Sequence, residues 1–310
     1  MCDLLVFRAV LWCLLIGALS GCRDAKKDVP APAPQPSPDP YPSQQVLAVN
    51  NPNHRPAYTG ARGSVEGVVT VQGDAAWPLP KELAKIPSDC ENAKETYGKL
   101  FREGAGRTLA DVLVAVTGYD GYVTAAEPAV LVTARGCAWD RRTIALAFGQ
   151  RIEVQSLDQR AYIPMLLGGK PGANLVAVPK GSAVPVFPRH PGHYMLVDEM
   201  RLFSRADVFV LRYPTYDVTG LDGRFHIAGI PVGKVKVTAL LPSINQKTEA
   251  SVDVTADAVK TVNLVIPFDQ ADFERRMRKT EDANSPPTGS TTEASATVPA
   301  PSGSVAAPRP

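Results

Sequence analysis

The chain has 310 residues, with 33 Lys and Arg against 31 Asp and Glu, and its formal net charge is +2. This near balance argues against a dedicated nucleic-acid-binding protein, which presents a strongly basic face. Because proline, serine and threonine crowd both ends, the part that can fold is about two hundred residues long, which is enough for two small β domains.

Residues 1–21 have the pattern of a secretory signal peptide. Arg8 precedes an apolar run, residues 9–19, that is too short to span a bilayer as a permanent helix but suits the central part of a signal peptide. The run ends in LSGC at residues 19–22. This motif resembles the bacterial lipobox, in which the cysteine receives a lipid. We therefore expect lipid attachment at Cys22; the alternative is a short N-terminal anchor with a chance cysteine.

Lipidation at Cys22 would anchor the protein to a membrane of the bacterial cell envelope. Acyl chains such as palmitate anchor stably because each buried methylene contributes ~0.8 kcal/mol. The lipobox resemblance implies the outer membrane rather than the inner one, because Arg23 follows the cysteine and Asp24 comes one place too late. The expected partners are this membrane and an envelope protein or polysaccharide that the sequence does not identify.

Two segments have compositions unsuited to a core. Residues 22–60 form a predicted tether, with a proline at every second position through Pro30, Pro32, Pro34, Pro36, Pro38, Pro40 and Pro42. Such a run has fixed φ angles and no backbone donors at the prolines, so it favours an extended, disordered polyproline II spacer. Residues 282–310 are rich in Ser, Thr, Pro and Ala, a composition typical of a disordered tail.

The most regular pattern in the chain is T-x-x-D-G-x-F-x-I-x-x-I-P-x-G-x-x-x-V at residues 219–237. Asp222-Gly223 suits a hairpin turn between apolar alternations, and the alternation resumes after Gly233. The pattern resembles the carboxypeptidase regulatory-like, transthyretin-type β-sandwich. That family is usually a structural or interaction module in secreted proteins, so the resemblance implies no catalysis.

The strand pattern predicts two sandwiches, one inserted into the other. Residues 63–120 supply two apolar strands, too few to stand alone, and residues 212–267 are equally short of strands. Together they suffice for one discontinuous transthyretin-like sandwich, with residues 125–211 inserted as a second sandwich of about seven short strands. The predicted fold class is therefore all-β, with two β-sandwich modules between disordered termini. A short helix is predicted over residues 269–280.

The inserted segment resembles the cupredoxin-like domains that accompany such modules in bacterial secreted proteins. The resemblance lies in residues 137–139, in the strand at residues 149–156 and in residues 198–204. Those relatives hold copper with two His, a Cys and a Met, a ligand set that suits both Cu(I) and Cu(II). The matching positions here are Ala161, Asp198, Arg201 and Ser204. The resemblance therefore implies the fold without the copper ligands, and no cofactor is expected.

Cys90 and Cys137 are the cysteines left once the leader and Cys22 are set aside. An even pair in an exported protein usually forms a disulfide because the compartment is oxidising. The cupredoxin-like relatives also carry a cysteine in each of these segments. The alternative is two buried thiols that never meet. A bond between them would close a loop worth about 4 kcal/mol on the chain-entropy argument.

His190 and His193 lie three residues apart in PRHPGHYM. Two imidazoles do not complete a zinc or copper site, so Asp198 or Glu199 would have to join them. They are weak metal candidates, and two histidines of a surface loop are the simpler interpretation. The chain has no G-x-S-x-G, H-E-x-x-H or P-loop motif, so no catalytic residue is assigned.

Two functions stay open at this point. The first is a non-enzymatic, membrane-anchored envelope lipoprotein whose β-sandwiches act as a binding or structural module. The second is a copper- or zinc-binding periplasmic protein related to cupredoxins. Nucleic acid is not an expected partner of either, because the charges are balanced.

Substitution of the lipidation site, Cys22→Ser, tests the predicted address. Without the thiol no lipid can be attached, so we expect an unlipidated precursor and release of the protein from the membrane fraction after cell fractionation. The matched variant Cys13→Ser changes a cysteine inside the apolar run and should leave the protein in the membrane fraction. Continued membrane association of the Cys22 variant would mean that the leader is an ordinary anchor.

Overall fold

The computed structural model describes residues 41–169 and 175–284, with the backbone alone for residues 281–284. Residues 1–40 lie outside the described part, and they include the predicted signal peptide, Cys22 and the first part of the predicted tether. The predicted tail beyond residue 284 lies outside it as well. All of the described residues belong to one compact unit.

Alternation of apolar and polar residues makes many of the strands in the described chain, whereas the strands at Leu113–Thr117 and Thr143–Ala147 are buried along nearly their whole length. The strands are β1 (Arg62–Gly73), β2 (Leu113–Thr117), β3 (Ala129–Arg135), β4 (Ala138–Trp139), β5 (Thr143–Ala147), β6 (Arg151–Ser156), β7 (Pro164–Leu167), β8 (Val184–Val186), β9 (Gly192–Asp198), β10 (Arg201–Leu211), β11 (Tyr216–Val218), β12 (Arg224–Pro231), β13 (Gly233–Leu241), β14 (Gln246–Val254), β15 (Val259–Thr261) and β16 (Leu264–Phe268). The helices are α1 (Ser43–Asn50), α2 (Pro80–Leu83), α3 (Glu91–Tyr97) and α4 (Gln270–Asn284), with 3-10 turns at Ala105–Arg107 and Pro242–Ile244. The predicted all-β class is confirmed. None of the described helices is both long and apolar enough to cross a membrane.

Strands from two distant parts of the chain form the first pair of sheets. One sheet has the order β12-β1-β15, with β16 also paired to β1, and the other has the order β11-β2-β13-β14. β1 is antiparallel to β12 but parallel to β15 and β16. Alternate residues of β1, namely Val65, Val69 and Val71, are buried in a core shared with β2, β12 and β13. This core lies between the two sheets, which together form the first sandwich.

The second pair of sheets is built from the chain between β2 and β11. Its orders are β5-β10-β9-β7 and β4-β3-β6-β8, with β3 parallel to β6 and β5 parallel to β10. Trp139 and Tyr162 are the largest side chains that are fully buried in its core. Every pairing between the named strands stays within one of the two pairs of sheets. We propose that these pairs are the two folding modules expected from the sequence.

The prediction of an extended, disordered tether over residues 22–60 is wrong for residues 41–60, which are folded. The proline run stops at Pro42, and α1 begins at the next residue. Val46 and Val49 lie three residues apart, on one face of α1, and both pack against the second core. Proline spacing predicted an extended chain, but this apolar pair finds a partner surface that composition does not reveal.

Tyr41, just before α1, makes two contacts with the second sandwich. Its hydroxyl donates a hydrogen bond to the carbonyl oxygen of Pro188 at 2.7 Å, and its ring centroid lies 5.1 Å from that of Phe148. Gly149 allows the close approach of α1, because a Cβ there would lie 2.6 Å from Cγ1 of Val46. The end of the predicted tether is therefore part of the second sandwich.

The long connection between β1 and β2 folds against the second sandwich. It contains the short helices α2 and α3. Ile86, Ala93 and Tyr97 from this connection pack with Ala138 in a third apolar cluster. The backbone N–H of Trp139 donates to the hydroxyl of Tyr97 at 3.1 Å. A segment that belongs by sequence to the first sandwich is thus fixed to the second.

The predicted C-terminal helix over residues 269–280 is present as α4 and extends further. Oδ1 of Asp269 accepts the N–H of Asp272 at 2.7 Å, which is an N-cap interaction. Phe273 packs against the first core, with its ring centroid 5.7 Å from that of Trp77. Met277 is half exposed, so the helix rests on the sandwich mainly through its first turn.

Asp111, just before β2, joins three parts of the chain. Its carboxylate accepts Nε and Nη2 of Arg102, each at 2.6 Å, and the backbone N–H of Arg142 at 2.7 Å. Its carbonyl oxygen accepts the hydroxyl of Thr143 at 2.7 Å, and its N–H donates to the carbonyl oxygen of Thr219 at 2.9 Å. Asp111 is buried, so these bonds form away from solvent.

Replacement of this carboxylate by an amide, Asp111→Asn, should strongly destabilise the protein. Asn tolerates the positive φ of 65° at this position, so the change isolates the charge that holds Arg102. Breaking a buried ion pair costs about 3–5 kcal/mol, and we expect a loss of that size in the free energy of unfolding measured with urea. The exposed residue Asp253 on β14 supplies the control, since Asp253→Asn should change stability by less than about 0.5 kcal/mol. Equal losses in the two variants would contradict the role of Asp111.

Candidate functional site

The residues at the four positions matched to copper ligands adopt a different arrangement. Nη1 of Arg201 lies 2.6 Å from Oδ2 of Asp198 and donates to the carbonyl oxygen of Ala161 at 3.2 Å. Arg201 therefore contacts the residues at two of the other matched positions, Asp198 and Ala161. The fourth, Ser204, donates its hydroxyl to the carbonyl oxygen of Cys137.

The carboxylate of Asp198 is fully buried, and both of its oxygens have partners. Oδ1 accepts the backbone N–H groups of Ile163 at 3.0 Å and of Met200 at 3.2 Å, while Oδ2 takes Arg201. The Arg201 guanidinium also lies over the ring of Tyr162, at 5.1 Å from the centroid. This cation–π contact adds to the ion pair. The turn between β9 and β10 is thus closed by an internal charge pair.

This set of side chains does not fit copper. Copper sites of this type need imidazole and thiolate ligands, whereas Ala161 and Ser204 offer neither. A guanidinium carries a positive charge, and that of Arg201 is bound to the carboxylate of Asp198. A metal cation there would have to displace the guanidinium and meet its repulsion.

Cys90 and Cys137 form a disulfide, as predicted, with their Cα atoms 5.3 Å apart. Cys90 lies immediately before α3, and Cys137 lies in the turn between β3 and β4. Gly136 and Cys137 both have positive φ, of 54° and 64°, as a tight two-residue hairpin turn requires. The bond therefore ties the long connection between β1 and β2 to the second sandwich.

Asp158 holds the turn that carries the disulfide. Its carboxylate accepts the N–H of Gly136 at 2.7 Å, the N–H of Arg160 at 2.9 Å and the hydroxyl of Tyr162 at 3.0 Å. Burial acts to raise the pKa of Asp158, but these hydrogen bonds outweigh it and hold the pKa below its ordinary value. Burial raises the pKa of Tyr162 to about 12, so its hydroxyl stays protonated and available as a donor.

His190 and His193, the weak metal candidates, are engaged in other ways. Nε2 of His193 lies 2.8 Å from Oδ1 of Asp207, and its ring stacks on Phe209 with centroids 4.7 Å apart. The backbone N–H of His190 donates to the hydroxyl of Tyr194 at 3.1 Å. Neither Asp198 nor Glu199 is the partner of His193. Within the described residues, no group of three or more His, Cys, Asp or Glu side chains is placed to hold a metal ion.

Comparison with known proteins gives weak likenesses. No protein-family model and no curated protein matches the chain. Among solved structures, amicyanin from Paracoccus versutus is similar at 13% identity, with a TM-score of 0.24, over 31% of this chain and 96% of amicyanin. An oxidised amicyanin mutant is similar at 12% identity, with a TM-score of 0.24, over 31% of this chain and 97% of the mutant. The chain thus has a weak likeness to a cupredoxin β-sandwich, of a size that carries no argument about function.

A cleft that the sequence analysis missed lies where the chain passes between the two pairs of sheets. Its walls come from the last residue of α1 and the chain after it (residues 50–55), the last residue of β2 and the chain after it (residues 117–123), and residues 212–213 after β10, and its volume is about 240 Å³. We call it the junction cleft. All three walls are connections, which have no periodicity to mark them, and one belonged to the predicted tether. The available signal was the grouping of Tyr and Arg beside turn residues.

A pH-dependent stability difference follows from the low pKa of Asp158. A carboxylate whose folded pKa lies below the unfolded value of about 3.9 adds stability above that pH, and the contribution is lost as the pH falls through the folded pKa. We expect Asp158→Asn to lower the free energy of unfolding by about 1–3 kcal/mol at pH 7, and the deficit to shrink at pH 3. Urea unfolding of the oxidised protein at both pH values measures it, with Asp253→Asn as the control. A deficit that is the same at both pH values would rule out the ionised form of Asp158 as its source.

Proposed function

We propose that this protein is a non-enzymatic, lipid-anchored protein of the bacterial cell envelope whose β-sandwiches act as a binding or structural module. The observation that carries the proposal is the ion pair between Arg201 and Asp198. The two residues lie at positions that the cupredoxin resemblance assigns to copper ligands. Their side chains bind each other instead of a metal ion. A domain of this kind keeps the β-sandwich and replaces the chemistry of an electron carrier with a structural charge pair.

The buried position of the pair strengthens this interpretation. Removing one partner of a buried ion pair leaves an uncompensated charge, which costs several kcal/mol. Asp198 is fully buried, and its Oδ1 accepts the backbone N–H groups of Ile163, just before β7, and of Met200, in the turn itself. Release of this carboxylate to a metal ion would therefore break the local fold as well as the ion pair.

Rigid cross-links between the modules support a role as a scaffold. The disulfide from Cys90 to Cys137 and the hydrogen bonds of Asp111 both run from the first part of the chain into the second sandwich. Such links hold the connections between strands in fixed positions. Connections on a rigid frame are where binding residues of β-sandwich proteins usually lie.

The position of Tyr41 limits how far the folded part can lie from a lipid at Cys22. Since Tyr41 is held against the second sandwich, the segment from Cys22 to Tyr41 can span at most ~68 Å, at ~3.3–3.6 Å per residue. A lipid at Cys22 would then keep the two sandwiches within this distance of the membrane surface, where envelope proteins and polysaccharides are the available partners. We place the anchor in the outer membrane, because Arg23 follows the lipidated cysteine.

Metal loading tests this proposal against a copper- or zinc-binding periplasmic protein. The purified protein without an affinity tag is incubated with Cu(II) or Zn(II), passed through a desalting column with a weak chelator, and analysed for metal content. We expect far less than one metal ion per chain, because the Arg201 guanidinium occupies the candidate position. The double variant His190→Ala and His193→Ala should give the same result as the native chain. Retention of one copper or zinc ion per native chain would overturn the proposal, and its loss in the double variant would locate the site.

A further inference from the structure

The junction cleft has an excess of positive charge. Arg55 and Arg212 line it, and no Asp or Glu does. Nη1 of Arg55 donates to the carbonyl oxygen of Tyr119 at 3.3 Å. Arg212 is exposed, and its guanidinium has no hydrogen bond or ion pair with the described residues. Guanidinium groups match carboxylates in a two-bond geometry, so this lining favours an anion that carries a carboxylate.

Three tyrosines, Tyr119, Tyr122 and Tyr213, line the same cleft. The hydroxyl of Tyr119 lies 2.9 Å from Oγ1 of Thr215, which fixes its ring. Burial raises the pKa of both Tyr119 and Tyr213, so both are neutral phenols at neutral pH. The face of an aromatic ring is apolar and electron-rich. It therefore suits the C–H face of a sugar ring, which carries a partial positive charge.

Polar side chains complete the lining with groups that match hydroxyls. Asn50, Asn53 and Thr117 belong to it, and each can both donate and accept hydrogen bonds. Nδ2 of Asn50 donates to the carbonyl oxygen of Phe148 at 2.7 Å, whereas its Oδ1 is buried without a partner among the described residues. An unpaired buried acceptor is unfavourable, so the described residues leave one hydrogen-bonding site of Asn50 unused.

The walls of the cleft are held in place before any ligand arrives. The side chain of Asn51 accepts the N–H of Arg55 and donates to its carbonyl oxygen, both at 2.8 Å. The N–H of Tyr58 donates to the carbonyl oxygen of Tyr122 at 2.9 Å. Gly121 has a φ of 93°, which favours glycine, and a Cβ there would lie 3.0 Å from the Tyr58 ring. A preorganised site loses less entropy on binding than a mobile one.

We propose that the junction cleft binds a single acidic sugar unit, a pyranose ring that carries a carboxylate, within an envelope glycan. The carboxylate would meet Arg212 and Arg55, and the ring would lie against the tyrosines. The volume of about 240 Å³ is below the about 300–1,000 Å³ of sites for drug-sized ligands, so one sugar ring suits it better than a nucleotide. This inference rests on the proposed binding role and deepens it by naming the class of ligand.

Calorimetric titration of the full-length protein in detergent tests the inference with two sugars of equal length. Trigalacturonate carries a carboxylate on each ring, and maltotriose carries none. We expect one trigalacturonate to bind per chain, at least about tenfold more tightly than maltotriose, and more weakly as salt is added. Equal affinities for the two sugars, or no binding of trigalacturonate at millimolar concentration, would overturn the inference.

Single substitutions locate the binding. Arg212→Gln should weaken the binding of trigalacturonate at least about tenfold, without a change in melting temperature, because Arg212 is exposed and makes no ion pair with any residue that the structure describes. Arg224→Gln removes an exposed arginine of β12 outside the cleft and is the matched control. Tyr213→Leu should weaken the binding of both sugars. Unchanged affinity in the Arg212 variant, or an equal loss in the Arg224 variant, would contradict the site.

Competition distinguishes the sugar from other anions. Acetate and adenosine monophosphate should displace trigalacturonate only at concentrations at least about tenfold higher than those of galacturonate. Displacement by acetate as readily as by galacturonate would show a simple anion site, and easier displacement by the nucleotide would show a nucleotide site; either result overturns the inference. Copper binding in the metal test would instead overturn the proposed function and leave these sugar results unaffected.

Discussion

The buried carboxylate of Asp111 is the contact on which the arrangement of the two sandwiches depends. It binds Arg102 from the long connection after β1, and it accepts the backbone N–H of Arg142, just before β5 of the second sandwich. Its own backbone pairs with Thr219, at the start of the second part of the first sandwich. A charge buried in this way must keep its partners, because losing them is expensive. One side chain therefore links segments that are far apart along the chain.

A second polar network surrounds the disulfide and stabilises the end of the second sandwich. Asp158 and Tyr162 hold the turn that contains Cys137, and the Arg201 guanidinium lies over the Tyr162 ring while it pairs with Asp198. Buried polar groups of this kind are tolerated because each one has partners. The positions that the cupredoxin resemblance assigns to copper ligands thus contribute to the folding of this chain, and the proposed binding role does not depend on a metal.

The junction cleft depends on both networks only indirectly, through the rigidity that they give to the frame. Its walls are mainly connections between helices and strands. Asn51 fixes the loop after α1 by accepting the N–H of Arg55, and the positive φ of Gly121 allows the turn after β2. Arg212 and the three tyrosines line a space that the described residues leave open. A site of this type is typical of binding proteins, because the scaffold supplies the geometry and the loops supply the recognition.

Local pattern was enough to predict an all-β fold, because apolar alternation has a period of two wherever one face of a strand is buried. The even pair Cys90 and Cys137 likewise predicted the disulfide, since an oxidising compartment leaves few alternatives. The tertiary structure alone decided that residues 41–60 fold, that Arg201 pairs with Asp198 and that three connections enclose a cleft. Each of these depends on a surface supplied by residues distant in sequence, and no local periodicity records which surface that is. For residues 41–60, burial against such a partner decided the structure where proline spacing had predicted an extended chain.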